Sequence, residues 1–185
     1  MPPRVYQLKG TIKGTKPPIW RRLLVSDTTT LWNLHEILQV AFDWHDCHLH
    51  EFEIDGLRYG TDDGEGWGPP PRDEYRTKLS SVTRQGSTFE YLYDFGDNWE
   101  HKLVVEKVLQ AEPGVTYPTC TGGRRAGPPE DCGGVWGYEE LLAAIAAPDH
   151  PEHDELLEWV GGEFDPADFS PAQVNARLSP SRTRQ

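Results

Sequence analysis

The sequence predicts a single α+β domain spanning 1–185, with a mostly antiparallel sheet, one N-terminal helix and a C-terminal helical segment. Three observations carry this. In residues 88–108, Phe89, Tyr91, Tyr93 and Phe95 recur at every second position. After Gly96-Asp97-Asn98 the alternation resumes with Trp99, His101, Leu103 and Val105, the period of a strand with one buried face. Leu31, Leu34, Leu38 and Ala41 fall at helical spacing behind Ser26-Asp27-Thr28-Thr29-Thr30, a run rich in residues that cap helix N-termini. Finally, 185 residues suffice for one substantial core.

In chain order, Tyr6, Leu8 and Ile12 share one side of a half-buried strand over 5–13. Lys16-Pro17-Pro18 ends it, because proline donates nothing to a ladder. A second strand covers Ile19 to Val25, and either of its faces can be the inner one. The helix follows and ends near Phe42, with His35 beside its apolar stripe as a packing residue. Asp43 to Cys47 form a loop. From His48 to Ile54 the period is two again, with His48, His50, Phe52 and Ile54 on one face. Asp55-Gly56 marks a tight turn into a short partner strand, Leu57 to Gly60. Residues 61–74, with three successive prolines and no periodicity, read as a mobile loop. Its Asp62, Asp63 and Glu65 lack calcium-loop spacing and read as solvated acid.

Leu79 to Val82 suits a short edge strand leading into the aromatic hairpin. With Gly96 to Asn98 as its loop, Phe95 faces Trp99, Tyr93 faces His101, Tyr91 faces Leu103 and Phe89 faces Val105. Residues 112–134 contain glycine, proline and cysteine without an aliphatic run, so the rest of the protein must order them. Helical spacing returns from Gly137 with Tyr138, Leu141, Leu142 and Ile145. Pro151 opens a further helix that stops at Gly161-Gly162, and a last short helix runs from Ser170-Pro171 to near Leu178. Residues 179–185 read as a frayed tail.

The formal net charge of -12, from 18 Lys and Arg against 30 Asp and Glu, makes nucleic acid an unfavourable partner. Arg21-Arg22, Arg124-Arg125 and Arg182 to Arg184 are short basic runs of the kind found on solvated surfaces. Three cysteines make no disulfide framework and point to a reducing, cytoplasmic setting. The N-terminus has no apolar signal region and no long apolar run occurs, which argues against a membrane.

PPIWRRLLV (17–25), YLYDFGDNWEHKL (91–103), CTGGRRAGPPEDCGGVWGYEELL (120–142) and WVGGEFDPADFS (159–170) together resemble the plasmid pRiA4b ORF-3-like family over nearly the whole chain. The resemblance implies an α+β fold and a link to plasmids and mobile elements. It names no activity, apart from a resolvase-like label that came by association with transposable elements. Many relatives carry Ala-Cys-Pro-Pro-Glu-Asp where this chain has Ala126-Gly127-Pro128-Pro129-Glu130-Asp131, a departure that weighs against an obligatory metal cluster of family cysteines.

Three chemistries fit the residues. In the first, His48 and His50 on one strand face meet His101 across the sheet and, with Cys120 or Cys132, bind zinc or another divalent metal. Neither C-x-x-C nor H-x-x-x-H is present to support it. In the second, Asp94, Asp97, Glu100 and His101 act as acid and base, with His101 among rings the better base. No activated nucleophile accompanies them. In the third, the 128–134 loop is a clamp in which Glu130 or Asp131 bonds loop amides or pairs with Arg21, Arg22 or Arg125. The preferred reading is a non-enzymatic interaction surface for a protein or small molecule, where the hairpin meets residues 120–137. Tyr93, Asp94, Asp97, Trp99, His101, Arg21, Arg124, Glu130 and Asp131 are its binding residues, and some tryptophans can line a groove there. Resolvase chemistry needs a nucleophile amid arginines and a DNA-reading helix, and the sequence shows neither.

Overall fold

A computed structural model describes residues 3–61 and 69–179. Asp62, Asp63 and Glu65, with the rest of 62–68, and the tail arginines lie outside the described residues. The described residues build eight strands and five helices in the order β1 (Arg4–Ile12), β2 (Trp20–Ser26), α1 (Leu31–Phe42), β3 (His50–Ile54), β4 (Leu57–Gly60), β5 (Arg72–Asp73), α2 (Leu79–Val82), β6 (Thr88–Tyr93), β7 (Trp99–Gln110), β8 (Thr119–Arg124), α3 (Gly134–Ala146), α4 (His153–Trp159) and α5 (Pro171–Leu178). All eight strands share one sheet, in the order β5-β4-β3-β6-β7-β1-β2-β8. Every pairing is antiparallel except the short β4/β5 contact. This is the α+β fold that alternation and helical spacing predict.

Helix α1 forms where its cap and stripe predict. Thr30 accepts from the Asn33 amide at one end, and Asp43 takes a left-handed conformation at the other (φ 68). Its buried face carries Leu31, Leu34, Leu38, Ala41 and Phe42 onto the core, with His35 and Gln39 among them. On β2 the inner face is Arg21, Leu23 and Val25. Arg21 is tolerated inside because its guanidinium donates to the carbonyls of Ala41, Trp20 and Arg124 and lies over Phe42 and Phe169. It therefore joins helix, strand and edge and is not a surface ligand contact. Arg22 on the outer face makes a two-point pair with Glu106.

Three local expectations are corrected. The hairpin pairs Tyr93 with Trp99, Tyr91 with His101 and Phe89 with Leu103, so its loop runs from Asp94 to Asn98. Asp94 adopts φ 59 and its Oδ1 accepts from the amides of Gly96 (2.9 Å) and Asp97 (3.2 Å). That turn ends the strand two residues early, at Tyr93, and leaves Phe95 exposed. The slip is two residues, so the same rings still face the core. Residues 79–82 form a helical turn, not an edge strand: the Thr83 amide and hydroxyl both bond the Leu79 carbonyl. Residues 119–124, without periodicity, form the edge strand β8. Gly122 lies against the Trp20 ring, and a side chain at Gly123 would meet Phe169 at 2.5 Å, so the glycines let α5 and its approach pack over the strand.

Candidate functional site

The stretch between α1 and β3, the hairpin turn and the 127–133 loop converge at one end of β6. His48 precedes β3, and its Nε2 lies 3.0 Å from Asp131 Oδ1, 3.6 Å from Asp94 Oδ2 and 3.9 Å from Glu130 Oε2. Despite these neighbours it is buried and makes no hydrogen bond, and Glu130 Oε2 is likewise buried without a partner. Two unsatisfied polar atoms facing each other are costly, and a native site needs a reason to keep them.

Each carboxylate is divided in its duties. Glu130 Oε1 accepts from the His45 amide at 2.8 Å and from the Tyr93 hydroxyl at 3.0 Å, which leaves Oε2 turned toward His48. Asp94 uses Oδ1 for its turn amides and offers Oδ2. Asp131 sits at φ 57, with its side chain 69% exposed on the open side. The loop itself is fastened at three points. The Trp44 indole donates to the Pro128 carbonyl (3.0 Å), and Asp97 Oδ2 accepts from the Gly133 amide (3.0 Å). At Gly127, a Cβ would meet the Phe42 carbonyl oxygen at 1.7 Å. Position 127 therefore has no room for a side chain in this backbone. His48, Asp94 and Asp131 bring one imidazole nitrogen and two carboxylate oxygens within 4.8 Å of one another, with Glu130 Oε2 beside His48, a hard donor set suited to manganese, magnesium or zinc.

The residues singled out from sequence divide into those at this site and those elsewhere. His48, Asp94, Glu130 and Asp131 come together, with Tyr93 behind them as a hydrogen-bond donor and Asp97 holding the loop. His101 does not join His48 and His50: among the described residues it stands in neither of the groups whose ligand atoms approach one another. Its ring is fully buried against Phe42 (4.9 Å) and Trp44 (5.1 Å), its Nδ1 lies 3.1 Å from the Tyr91 carbonyl, and burial pushes its pKa down to about 4. His50 turns away from His48 and stacks on His35. Cys120 sits on β8, at the far edge of the sheet, with Sγ directed at the Gly122 carbonyl. Burial, then the charge of Asp97, pushes the Cys132 thiol up to about 12, which disfavours the thiolate that a metal takes. Among the described residues, neither cysteine joins a ligand group. Trp99 is core, Arg124 contributes a carbonyl to Arg21, Glu100 pairs with Lys13 at 3.0 Å, and neither Glu130 nor Asp131 meets an arginine among the described residues.

Sequence reading missed the partners of His35. The ring bonds Tyr91 and Asp46 and stacks face to face on His50, while buried Glu74 bonds His50. A histidine about one turn from a helix start, on the buried side of the stripe, is the available signal; Asp46 and Glu74 sit in irregular segments and give none.

The chain is 40% identical over 174 residues to the uncharacterised protein y4hQ of Sinorhizobium fredii, covering 92% of this chain and 89% of that one. It also resembles the crystal structure of a protein of unknown function from Methanosarcina mazei, with a TM-score of 0.86 and 43% identity, over 94% of this chain and 97% of the other. No helix among the described residues is long and apolar enough to cross a membrane. The profile of the family described as "Plasmid pRiA4b ORF-3-like protein" matches residues 4–173, and the chain belongs to that family.

Proposed function

We propose that this protein binds a divalent cation between the hairpin turn and the 127–133 loop, with His48, Asp94 and Asp131, whose ligand atoms lie within 4.8 Å of one another, as its first ligands and Glu130 Oε2, 3.9 Å from His48 Nε2, drawn in beside them. The observation that carries the reading is the pair of buried atoms without hydrogen bonds, His48 Nε2 and Glu130 Oε2, which face each other at 3.9 Å. A cation there satisfies both, and it needs no N–H direction to do so. Protonation of His48 is the competing explanation, since an imidazolium would neutralise one of the three carboxylates. Metal binding differs from it in stoichiometry and in metal preference.

The cation's exposed side supports the binding role expected from sequence. A cleft of about 320 Å3 lined by His45, Pro128, Glu130, Trp159 and Phe164 borders the site. Phe95, Trp136 and Trp159 stand exposed on the hairpin turn, α3 and α4, and Trp159 also lines that cleft. A small molecule or peptide that reaches the cation can rest on them. Recombination has less behind it, because Arg21 is buried and Arg22 is paired with Glu106.

Equilibrium dialysis of untagged protein against manganese and zinc tests the reading. The expected result is saturable binding near this loop that His48→Ala weakens at least tenfold. Binding that His48→Ala leaves unchanged would remove the proposal.

A further inference from the structure

We propose a second binding site, independent of the cation, in a cleft between the β3/β4 turn and residues 81–87, where Arg72, Arg84 and the Tyr59 hydroxyl hold a small organic phosphate. The cleft has a volume of about 730 Å3, within the range of pockets that take a small molecule. Ile54, Asp55 and Leu57 form one wall, and the chain entering β6 forms the other. This is the opposite end of β3 from His48. The strand itself, five residues long, puts about 16 Å between the two sites.

Tyr59 points to a ligand. It is only 4% exposed and lines the cleft, yet its hydroxyl has no hydrogen-bond partner among the described residues. A tyrosine hydroxyl at such depth normally finds one. Arg72 stands opposite Tyr59 in the β4/β5 register, so both side chains leave the sheet on the cleft's side. The neighbouring Asp73 is already occupied, with one oxygen accepting from the Tyr75 and Arg76 amides and the other 3.7 Å from the Arg76 guanidinium. Arg84 comes from the opposite wall. Neither Arg72 nor Arg84 meets a carboxylate among the described residues, whereas Arg4, Arg22 and Arg58 each find one. In a chain of net charge -12, two unpaired guanidinia on one cleft make a local field that favours an anion.

The wall that carries Arg84 is fixed in advance. The Arg84 amide donates to Ser87 Oγ and the Ser87 amide to the Arg84 carbonyl, both at 2.9 Å, while the Gly86 amide donates to the Val105 carbonyl at 2.8 Å. Gln85 Oε1 accepts from the Val108 amide at 3.1 Å, which leaves the hydrogens of its side-chain amide for a ligand. Such a wall lowers the cost of ordering donors around an anion. Guanidinium forks match phosphate oxygens, and two of them balance a phosphomonoester, whose charge is about -2. Ile54 and Val82 offer the body of the ligand an apolar floor. Asp55, the one carboxylate among the described lining residues, accepts from a hydroxyl or amino group on that body. Sugar phosphates and nucleoside monophosphates share this chemistry.

Isothermal titration of the full-length protein with ribose 5-phosphate and with adenosine monophosphate tests the assignment and distinguishes the two sources. EDTA and about 0.15 M salt keep the cation site and loose charge pairing out of the measurement. The expected result is saturable one-to-one binding of at least one probe, weakened at least tenfold by Arg72→Gln and by Arg84→Gln and several fold by Tyr59→Phe. Both arginines are exposed, so their variants should melt as the parent does. No saturable binding of either probe, or binding that the arginine variants leave unchanged, would overturn the site. Citrate or inorganic phosphate bound as tightly as the phosphomonoesters would overturn the ligand class. Because EDTA removes divalent ions throughout, neither failure touches the cation reading.

Discussion

His101 and His48 stand near neighbouring rings and have opposite surroundings. His101 meets Trp44 edge-on at 5.1 Å, Trp44 lies 4.8 Å from Tyr93, and Tyr93 meets His48 edge-on at 5.9 Å. On the His101 side everything within reach is ring, aliphatic or backbone, and burial alone holds the imidazole neutral. On the His48 side three carboxylates converge. The difference teaches that a histidine's role is set by what the turn and loop deliver to it, not by its place in the alternation. Both occupy inward positions of a strand pattern, and only one meets residues from distant loops.

The two regions should therefore respond to different perturbations. The largest effect belongs to the aromatic side: Trp99→Ala removes a fully buried ring and should cost about 3–5 kcal/mol of folding free energy by chemical denaturation. The same variant, while folded, should keep its cation affinity within a few fold; a collapse of affinity would show that the two regions are one unit. Next comes Glu130→Gln, which should weaken manganese binding about a hundredfold by isothermal titration, roughly 2.7 kcal/mol, with stability little changed.

Third is the pH response of His101. Its pKa falls from 6.5 to about 4 in the fold, so between those values the unfolded chain holds the extra proton. Stability is fully present above about pH 6.5 and declines as pH falls toward 4, with a slope approaching one proton from this group. His101→Phe should remove that share of the slope, read from denaturation midpoints across the window; an unchanged slope would put the imidazole in contact with water or charge. Smallest is Cys132→Ser, which should leave manganese affinity unaltered, since among the described residues the thiol stands in neither group of ligand atoms; a loss of affinity would bring the cysteine back into the site.

Much of the scaffold was legible because it rests on local rules. Thr30 and Ser170 cap the helices they precede, and Tyr91, Tyr93, Trp99 and Leu103 alternate as strands do. The hairpin register was not legible, because it turns on whether Asp94 stays extended or spends its carboxylate on Gly96 and Asp97. Nor was β8, whose Gly122 and Gly123 make sense only once Trp20 and Phe169 are in place. The candidate site shows the same limit. His48, Asp94, Glu130 and Asp131 each stood out by residue type, but their meeting depends on Trp44 and Gly127 seating a loop some eighty residues away in sequence.

Histidine ring nitrogens observed by NMR during zinc addition test the contrast most directly. The account predicts that the Nε2 resonance of His48 moves with saturation while the resonances of His101 stay where they are. A shift at His101, or a silent His48 in protein that has bound zinc, would contradict it.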